Sequence, residues 1–531
     1  MCGIFFYIGN KTIRRKKDLE KKFYKIKHRG PDASRIRYYN SNVMVGFHRL
    51  AIIDPTDSGM QPFENKRYTC VTNGEIYNYK NLVQEYSLDV KTHSDCEVIL
   101  PLFLKDMNIE SLCNKLDGEF AFIIYDTVTK TVFFAVDEIR ARPLFLGESE
   151  DGIYLCSEQK SLKDCYKVIP VPSGCYGKIQ DGEYSFSNYY NFMTSVITQP
   201  EDRPDLYLRK LLMENVSRKL HPEREFCFLL SGGLDSSLIC GIAAKLCVPT
   251  RIHTFTVGFD KNSSDVLAAR KVAKHIDSIH TEFIFSYEEG IDILRSVIKA
   301  NESWDQTTTR ASTPMALCCR EIKKKHPEMA VVYSGELSDE LFMGYLEWKR
   351  APTLKAAKEH VVKRIRDVTY FDGLRADRTV SSYGMELRLP FFSREILEFV
   401  LSLSPEILAP SHNDNIEKYL LRKAFDELNY IPEEVLWRTK NAMSDATSVV
   451  GKSSWKEFLK SYAEKEITDS RFSGAKILYP DNTPQTKEDM LYRDIFTDLG
   501  YHSNCIAYKW LPEWTYGITD SSATELEGFK E

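Results

Sequence analysis

From about residue 208 onwards, apolar positions follow two alternating rhythms. Glu225 to Leu230 is a short, nearly unbroken apolar and aromatic run between polar residues, the pattern of a parallel strand buried on both faces. Ser236 to Leu246 carries its apolar residues at helical spacing. His253 to Phe259, Glu282 to Phe285 and Ala330 to Tyr333 repeat the strand pattern, and Asp265 to Ile276 repeats the helix. This order predicts an open parallel sheet with ligands at the C-terminal ends of its strands. Upstream, apolar runs occur at Gly3 to Ile8, at Leu50 to Ile53 in a strand headed by His48 and Arg49, and at Tyr68 to Thr72, which runs up to Asn73-Gly74. Pro200, Glu201, Asp202, Pro204 and Asp205 interrupt the pattern, which places a linker over 191–207 between domains 2–190 and 208–531.

Length supports that division, since 531 residues exceed one ordinary core. With 43% hydrophobic and 28% charged residues, the chain can bury a large core and is not disordered as a whole. Its 71 basic residues against 76 acidic ones give a net charge of −5, which argues against general affinity for nucleic acid or anionic membrane. No apolar stretch approaches the ~20 residues that span a bilayer, and the basic residues near the N-terminus follow the first apolar run, unlike a signal peptide. The basic stretch from Lys11 to Arg29 reads as a solvated helix face. Thirteen cysteines, without CxxC pairs or Cys/His clusters of zinc spacing, point to a reducing cytosol.

Chemistry first shows at Leu230-Ser231-Gly232-Gly233-Leu234-Asp235-Ser236, between the first strand and helix of the second domain. Paired glycines let backbone N–H groups turn inward, and the following helix aims its positive end at the same point, so an anion fits there. Ser231 and Ser236 add hydroxyls, whereas Asp235 would repel phosphate unless Mg²⁺ lay between them. No Lys follows the glycines, so this is not the loop that grips β- and γ-phosphates. Ser334-Gly335-Glu336-Leu337-Ser338-Asp339-Glu340 follows a later strand of the same sheet, which would pair Asp339 with Asp235 as Mg²⁺ carboxylates.

At the other end, removal of Met1 would leave Cys2 with a thiol and a free α-amine. In unstructured peptides these groups titrate near pH values of about 8.5 and about 7.7 to 8, so the amine can accept the thiol proton as attack begins. Arg49 suits bidentate capture of an α-carboxylate, and Asp95 could hold an α-ammonium. The Asn73 amide and the Gly74 N–H could form an oxyanion hole. Taken singly, these residues read equally well as a surface Arg, a helix N-cap and an Asn-Gly turn.

The motifs narrow the choice. Ser231-Gly232-Gly233-Leu234-Asp235-Ser236-Ser237 resembles the pyrophosphate loop of ATP pyrophosphatases, which make adenylates. Met1-Cys2-Gly3-Ile4, His48 to Asp54, Asn73 to Asn78 and His93 to Glu97 resemble the glutaminase domain of class II glutamine amidotransferases. That resemblance implies an N-terminal-nucleophile fold, an αββα sandwich. It also implies that Cys2 attacks the glutamine amide, with Asn73 and Gly74 on the oxyanion. Arg49, Leu50, Ala51, Ile52, Ile53, Asn73, Gly74, Glu75 and Asp95 would bind glutamine. Together with Ser303 to Met315, Glu417 to Ala424 and Val435 to Lys440, the chain resembles the glutamine-hydrolysing asparagine synthetase family over nearly its whole length.

By that resemblance, Leu230, Ser231, Gly232, Gly233, Asp235, Ser236, Val257, Ser334 and Gly335 would line the ATP site. Thr307, Arg310 and Lys440 would bind the adenylate or pyrophosphate, and Glu336 would take the proton from attacking ammonia. The substrates implied are glutamine, aspartate and Mg-ATP, with no prosthetic group, nucleic acid or membrane partner; a homodimer is the assembly to test. Ammonia crossing between the domains as neutral NH₃ calls for a largely apolar passage. The sequence departs from the family at Arg140, Leu337 and Met343, where glycine is usual, and at Ser393, where Asp is usual. These departures keep two alternatives open: an adenylating amidotransferase or β-lactam synthetase-like cyclase using another carboxylate, and a non-catalytic regulatory homologue.

Overall fold

A computed structural model describes residues 1–521, apart from 11, 14–15, 194–201, 440–453 and 516. The first domain contains twelve strands: β1 (Gly3–Gly9), β2 (Ala33–Tyr39), β3 (Val43–Arg49), β4 (Phe63–Glu64), β5 (Tyr68–Ile76), β6 (Gly118–Asp126), β7 (Val132–Val136), β8 (Phe145–Ser149), β9 (Gly152–Cys156), β10 (Lys167–Pro170), β11 (Cys175–Gln180) and β12 (Glu183–Asn188). They form two antiparallel six-stranded sheets, ordered β10-β8-β9-β1-β3-β2 and β12-β11-β7-β6-β5-β4. The two-residue side-chain period explains the layering. Ile4 and Phe6 of β1 enter the core between the sheets with Val45, Ile123 and Phe134. Phe5 and Tyr7 face the other way, onto Leu19 and Phe23 of helix α1 (Lys16–Tyr24). Helix α1 lies within the basic stretch and exposes most of its lysines, as a solvated face should.

The second domain opens with α2 (Pro204–Lys219), which starts inside the stretch expected to be linker; Pro204 suits a first helical turn because that N–H has no partner there anyway. Its sheet, β13 (Phe226–Leu229), β14 (His253–Gly258), β15 (Ile279–Ile284), β16 (Val331–Tyr333) and β17 (Glu386–Arg388), is parallel and ordered β15-β14-β13-β16-β17. Helices α3 (Leu234–Leu246), α4 (Ser264–His275) and α5 (Gln306–Lys325) follow strands β13, β14 and β15. Two expected boundaries need correction. Arg49 ends β3, with Leu50 to Asp54 in a loop, and β5 continues through Asn73 to Ile76 because Asn73 and Gly74 pair with Ala121 and Phe120 of β6.

Buried ions join the domains. Glu119 accepts hydrogen bonds from Arg142 and from Lys219 of α2, both at 2.7 Å, and Arg142 also donates to the Leu387 carbonyl at 2.7 Å. Arg388 pairs with Glu75 at 3.0 Å. Arg29, fully buried, donates to both oxygens of Asp377, at 2.9 and 3.0 Å. Arg140 occupies a left-handed turn (φ 52°) that costs an L-residue about 1–2 kcal/mol. It crosses to the second domain, donating to the Thr369 hydroxyl at 2.6 Å and lying over the Tyr370 ring.

Replacing Glu119 by Ala strands two buried cations. We expect a destabilisation of about 3–5 kcal/mol, read from denaturant-unfolding midpoints.

Candidate functional site

Cys2 sits at the entry to β1, half-buried, with its backbone N–H on Asn73 Oδ1 at 2.7 Å and its thiol 3.7 Å from the Leu50 carbonyl. Burial pushes the thiol pKa up, partly offset by the nearby terminal amine. Asn73 Nδ2 is buried and makes no hydrogen bond, which leaves a donor unused on the amide that holds the Cys2 N–H. Gly74 is required by close packing: a Cβ there would lie 2.5 Å from the Glu119 carbonyl oxygen. Asp95 is buried, accepts the Ile76 N–H at 2.8 Å and is pushed up to about 6 by desolvation. Arg49 donates to the carbonyls of Asp54 and Thr56, and the loop from Leu50 to Ile53 passes beneath Cys2. Glu75, on the same face of β5 as Asn73, pairs with Arg388 at 3.0 Å and lies close enough to Asp95 and Glu386 to feel their charge.

Buried ions lie beside Cys2. Met1, 1% exposed, places its amine 2.7 Å from Glu386 and its sulfur 3.4 Å from Arg29. Against desolvation, that amine first and then Arg388 and Arg142 hold the Glu386 carboxyl down at about 2, and Arg29 holds Asp377 below its ordinary value.

The second centre is a cavity of about 230 Å³ at the C-terminal ends of β13, β14 and β16. Leu230, Ser231, Gly233, Asp235, Ser236, Val257, Thr307, Arg310, Ser334, Gly335, Glu336 and Asp339 all line it. Gly232 has φ +76° and stands so close to α4 that a Cβ would come within 2.5 Å of the Ala269 nitrogen. Gly233 caps α3, leaving the helix's first N–H groups directed at the cavity. Gly335 lets the second loop press against the first, since a Cβ would lie 2.8 Å from the Ser236 nitrogen. The Thr307 hydroxyl is buried without a hydrogen-bond partner, as suits a group awaiting a ligand.

Arg310 is more constrained than its assignment to phosphate implied: Glu488 and Asp520 each clasp it with two hydrogen bonds of 2.6–3.0 Å. Lys440 lies outside the described residues.

Asp235 and Asp339 converge on one cation, the ammonium of Lys418, at 2.6 and 2.7 Å. The carboxylate pair is therefore shaped around positive charge, and no cluster of three or more metal-binding side chains occurs among the described residues. Two carboxylates with phosphate oxygens suit Mg²⁺, which keeps much of its water. The sequence assigned no role to Lys418, although it opens a helix from a left-handed conformation (φ 57°). Nor did it assign roles to Asp372 and Arg375, which line the same cavity, where Arg375 donates to Glu336 at 2.7 Å and to Asp372 at 2.9 Å.

The glycine departures fall on left-handed backbone, Leu337 at φ 79° and Met343 at φ 51°, with both side chains buried in the core. Ser393 caps the next helix, accepting the Ile396 N–H at 3.2 Å.

An N-terminal-nucleophile sandwich joined to a parallel-sheet nucleotide domain defines a two-centre amidotransferase. Residues 1–173 match the profile of the glutamine amidotransferase domain, and residues 207–369 and 355–509 match that of asparagine synthase. Glutamine-hydrolysing asparagine synthetases of Pongo abelii and Homo sapiens are each 38% identical over 569 aligned residues, covering 100% of this chain and 99% of theirs. The Gallus gallus enzyme is 39% identical over 567, with the same coverage. The chain belongs to the asparagine synthetase family.

Gly344 gives Lys418 its place, because a Cβ there would lie 2.1 Å from Lys418 Cε and 2.2 Å from Asp339 Oδ1. Gly344→Ala is expected to weaken Mg-ATP binding about tenfold or more in calorimetric titration, with little change at Cys2.

Proposed function

We propose that this chain makes asparagine from aspartate and ATP through β-aspartyl-AMP, using ammonia released from glutamine at Cys2, with asparagine, glutamate, AMP and pyrophosphate as products. The observation that carries this reading is the presence of both centres in one chain: a cysteine beside an unpaired amide donor, and a glycine-loop cavity ending in Glu336, Asp372 and Arg375. Residues 2–190 form the glutaminase half and residues 208–531 the synthetase half.

In the glutaminase half, loss of Met1 frees the Cys2 amine, which takes the thiol proton as sulfur attacks the glutamine amide carbon. Asn73 Nδ2 and the Gly74 N–H stabilise the oxyanion, and its collapse releases ammonia and leaves a thioester that water hydrolyses to glutamate. Arg49 and Asp95 hold the two ends of the amino acid.

In the synthetase half, Ser231, Gly233, Ser236 and Thr307 receive the phosphates, while Leu230 and Val257 flank adenosine. Mg²⁺, when bound with ATP, supplies positive charge between the phosphates and the carboxylates of Asp235 and Asp339. Arg375 and Asp372 offer a cation and an anion to the α-carboxylate and α-ammonium of aspartate. The aspartate side-chain carboxylate displaces pyrophosphate, and Glu336 accepts a proton as ammonia displaces AMP. No described helix is long and apolar enough to cross a membrane, and the reducing cytosol is the proposed setting.

The test is formation of asparagine, AMP and pyrophosphate from aspartate and Mg-ATP, with glutamine or ammonium as nitrogen donor. Cys2→Ala should abolish glutamine-dependent synthesis and spare the ammonium reaction; loss of both would refute the two-centre reading. Because desolvation raises Asp95, its carboxylate is neutral below pH about 6. The KM for glutamine should therefore rise as pH falls through about 6, and Asp95→Asn should make it high and pH-independent.

A further inference from the structure

Helix α6 (Asp372–Ser381) lines the ATP cavity at its start and reaches Cys2 through one intervening residue, Arg29. Its first turns supply Asp372 and Arg375 to the ATP cavity, where Arg375 holds Glu336 at 2.7 Å. Asp377, two residues later and so about 200° around the helix, faces the other domain. It grips both terminal nitrogens of Arg29, at 2.9 and 3.0 Å, and Ser381, one turn on, accepts from the same guanidinium at 3.1 Å. Arg29 Nε in turn donates to the carbonyl of Cys2 at 3.1 Å. Arg29 and Asp377 are 0% and 2% exposed, so water does not weaken this chain of contacts. The helix is fixed from its N-terminal side as well: Thr369, in the turn just before it, is held by Arg140 of the glutaminase half.

We propose that Asp377, a residue of the synthetase half, is a positioning residue for the glutaminase centre, setting the carbonyl of Cys2, and with it the amine and thiol, through Arg29. This deepens the function proposed above and rests on Cys2 being the nucleophile. A fork held by two carboxylate oxygens leaves Arg29 little rotational freedom. Glu158 of the glutaminase half holds one of the same nitrogens at 2.7 Å, and Arg29 so fixed orients the Cys2 carbonyl while Asn73 holds the Cys2 N–H. One rigid helix thereby holds Glu336 on one side and Cys2 on the other.

The test compares the full-length protein with Asp377→Asn, Asp377→Glu and Cys2→Ala. Glutamine hydrolysis, the pH profile of Cys2 alkylation and ammonium-dependent asparagine synthesis are measured on each. Asp377→Asn should lower kcat for glutamine hydrolysis about tenfold or more with KM within about twofold, shift the Cys2 alkylation profile, and leave ammonium-dependent synthesis within about twofold. Asp377→Glu keeps the charge that folding needs but displaces the fork, and should show the same selective loss of kcat. Unchanged hydrolysis in the two Asp377 variants, or a parallel fall of hydrolysis and ammonium-dependent synthesis, overturns the proposal. Hydrolysis that survives in Cys2→Ala instead overturns the assignment of the nucleophile, whatever the Asp377 variants do.

Discussion

The structure depends on charge buried between its two halves. Arg29 with Asp377, Arg142 and Lys219 with Glu119, and Arg388 with Glu75 each pair a group from one domain with one from the other, or share a carboxylate across the boundary. Such pairs add little net stability over well-packed apolar residues, because desolvating the ions offsets much of their attraction. They do enforce register. An apolar interface tolerates a slip of an ångström, whereas a slip here would leave a buried ion without its partner, at a cost of several kcal/mol. Two centres that must hand over a small molecule gain from an interface with one acceptable position.

Much of this was legible in the sequence. Strand and helix rhythms gave the parallel sheet, since β13, β14 and β16 are short, apolar and separated by helices, and the glycine loop fell where the first strand meets its helix. Local motifs also singled out Cys2 and Asn73, which a hydrogen bond joins, and Asp95, which is buried against the end of the same strand. What the sequence hid was long-range pairing. Glu75, within the motif expected to bind glutamine, also pairs with Arg388, more than 300 positions away, and no local pattern carries that information. Arg310, expected at the adenylate or pyrophosphate, does line the cavity, but its clasp by Glu488 and Asp520, far along the chain, was equally hidden. Asn73 appeared to end a strand because Asn-Gly is a turn signal; pairing with β6 overrode it.

The departures from the family's glycines obey one rule. Arg140, Leu337 and Met343 keep the left-handed backbone and accept its strain, of about 1–2 kcal/mol each. In return each buries a side chain: Leu337 and Met343 in the core beside the Asp339 helix, and Arg140 against Thr369 and Tyr370 across the domain boundary. A left-handed turn is thus built from a larger side chain at each position.

The ionic wall beside Cys2 also has a chemical temperament. Ammonia is a base, and a neutral carboxylic acid along its route would turn it into ammonium, which has no lone pair for attack. With Met1 in place, its amine and the guanidiniums of Arg388 and Arg142 hold Glu386 down at about 2, and Arg29 holds Asp377 below its ordinary value, so neither has a proton to give near neutrality. The guanidiniums facing them do not release theirs in this range. Burial pushes the neighbouring Glu75 carboxyl the other way, well above its ordinary value, so this charged cluster holds one carboxyl able to give a proton among others that are not.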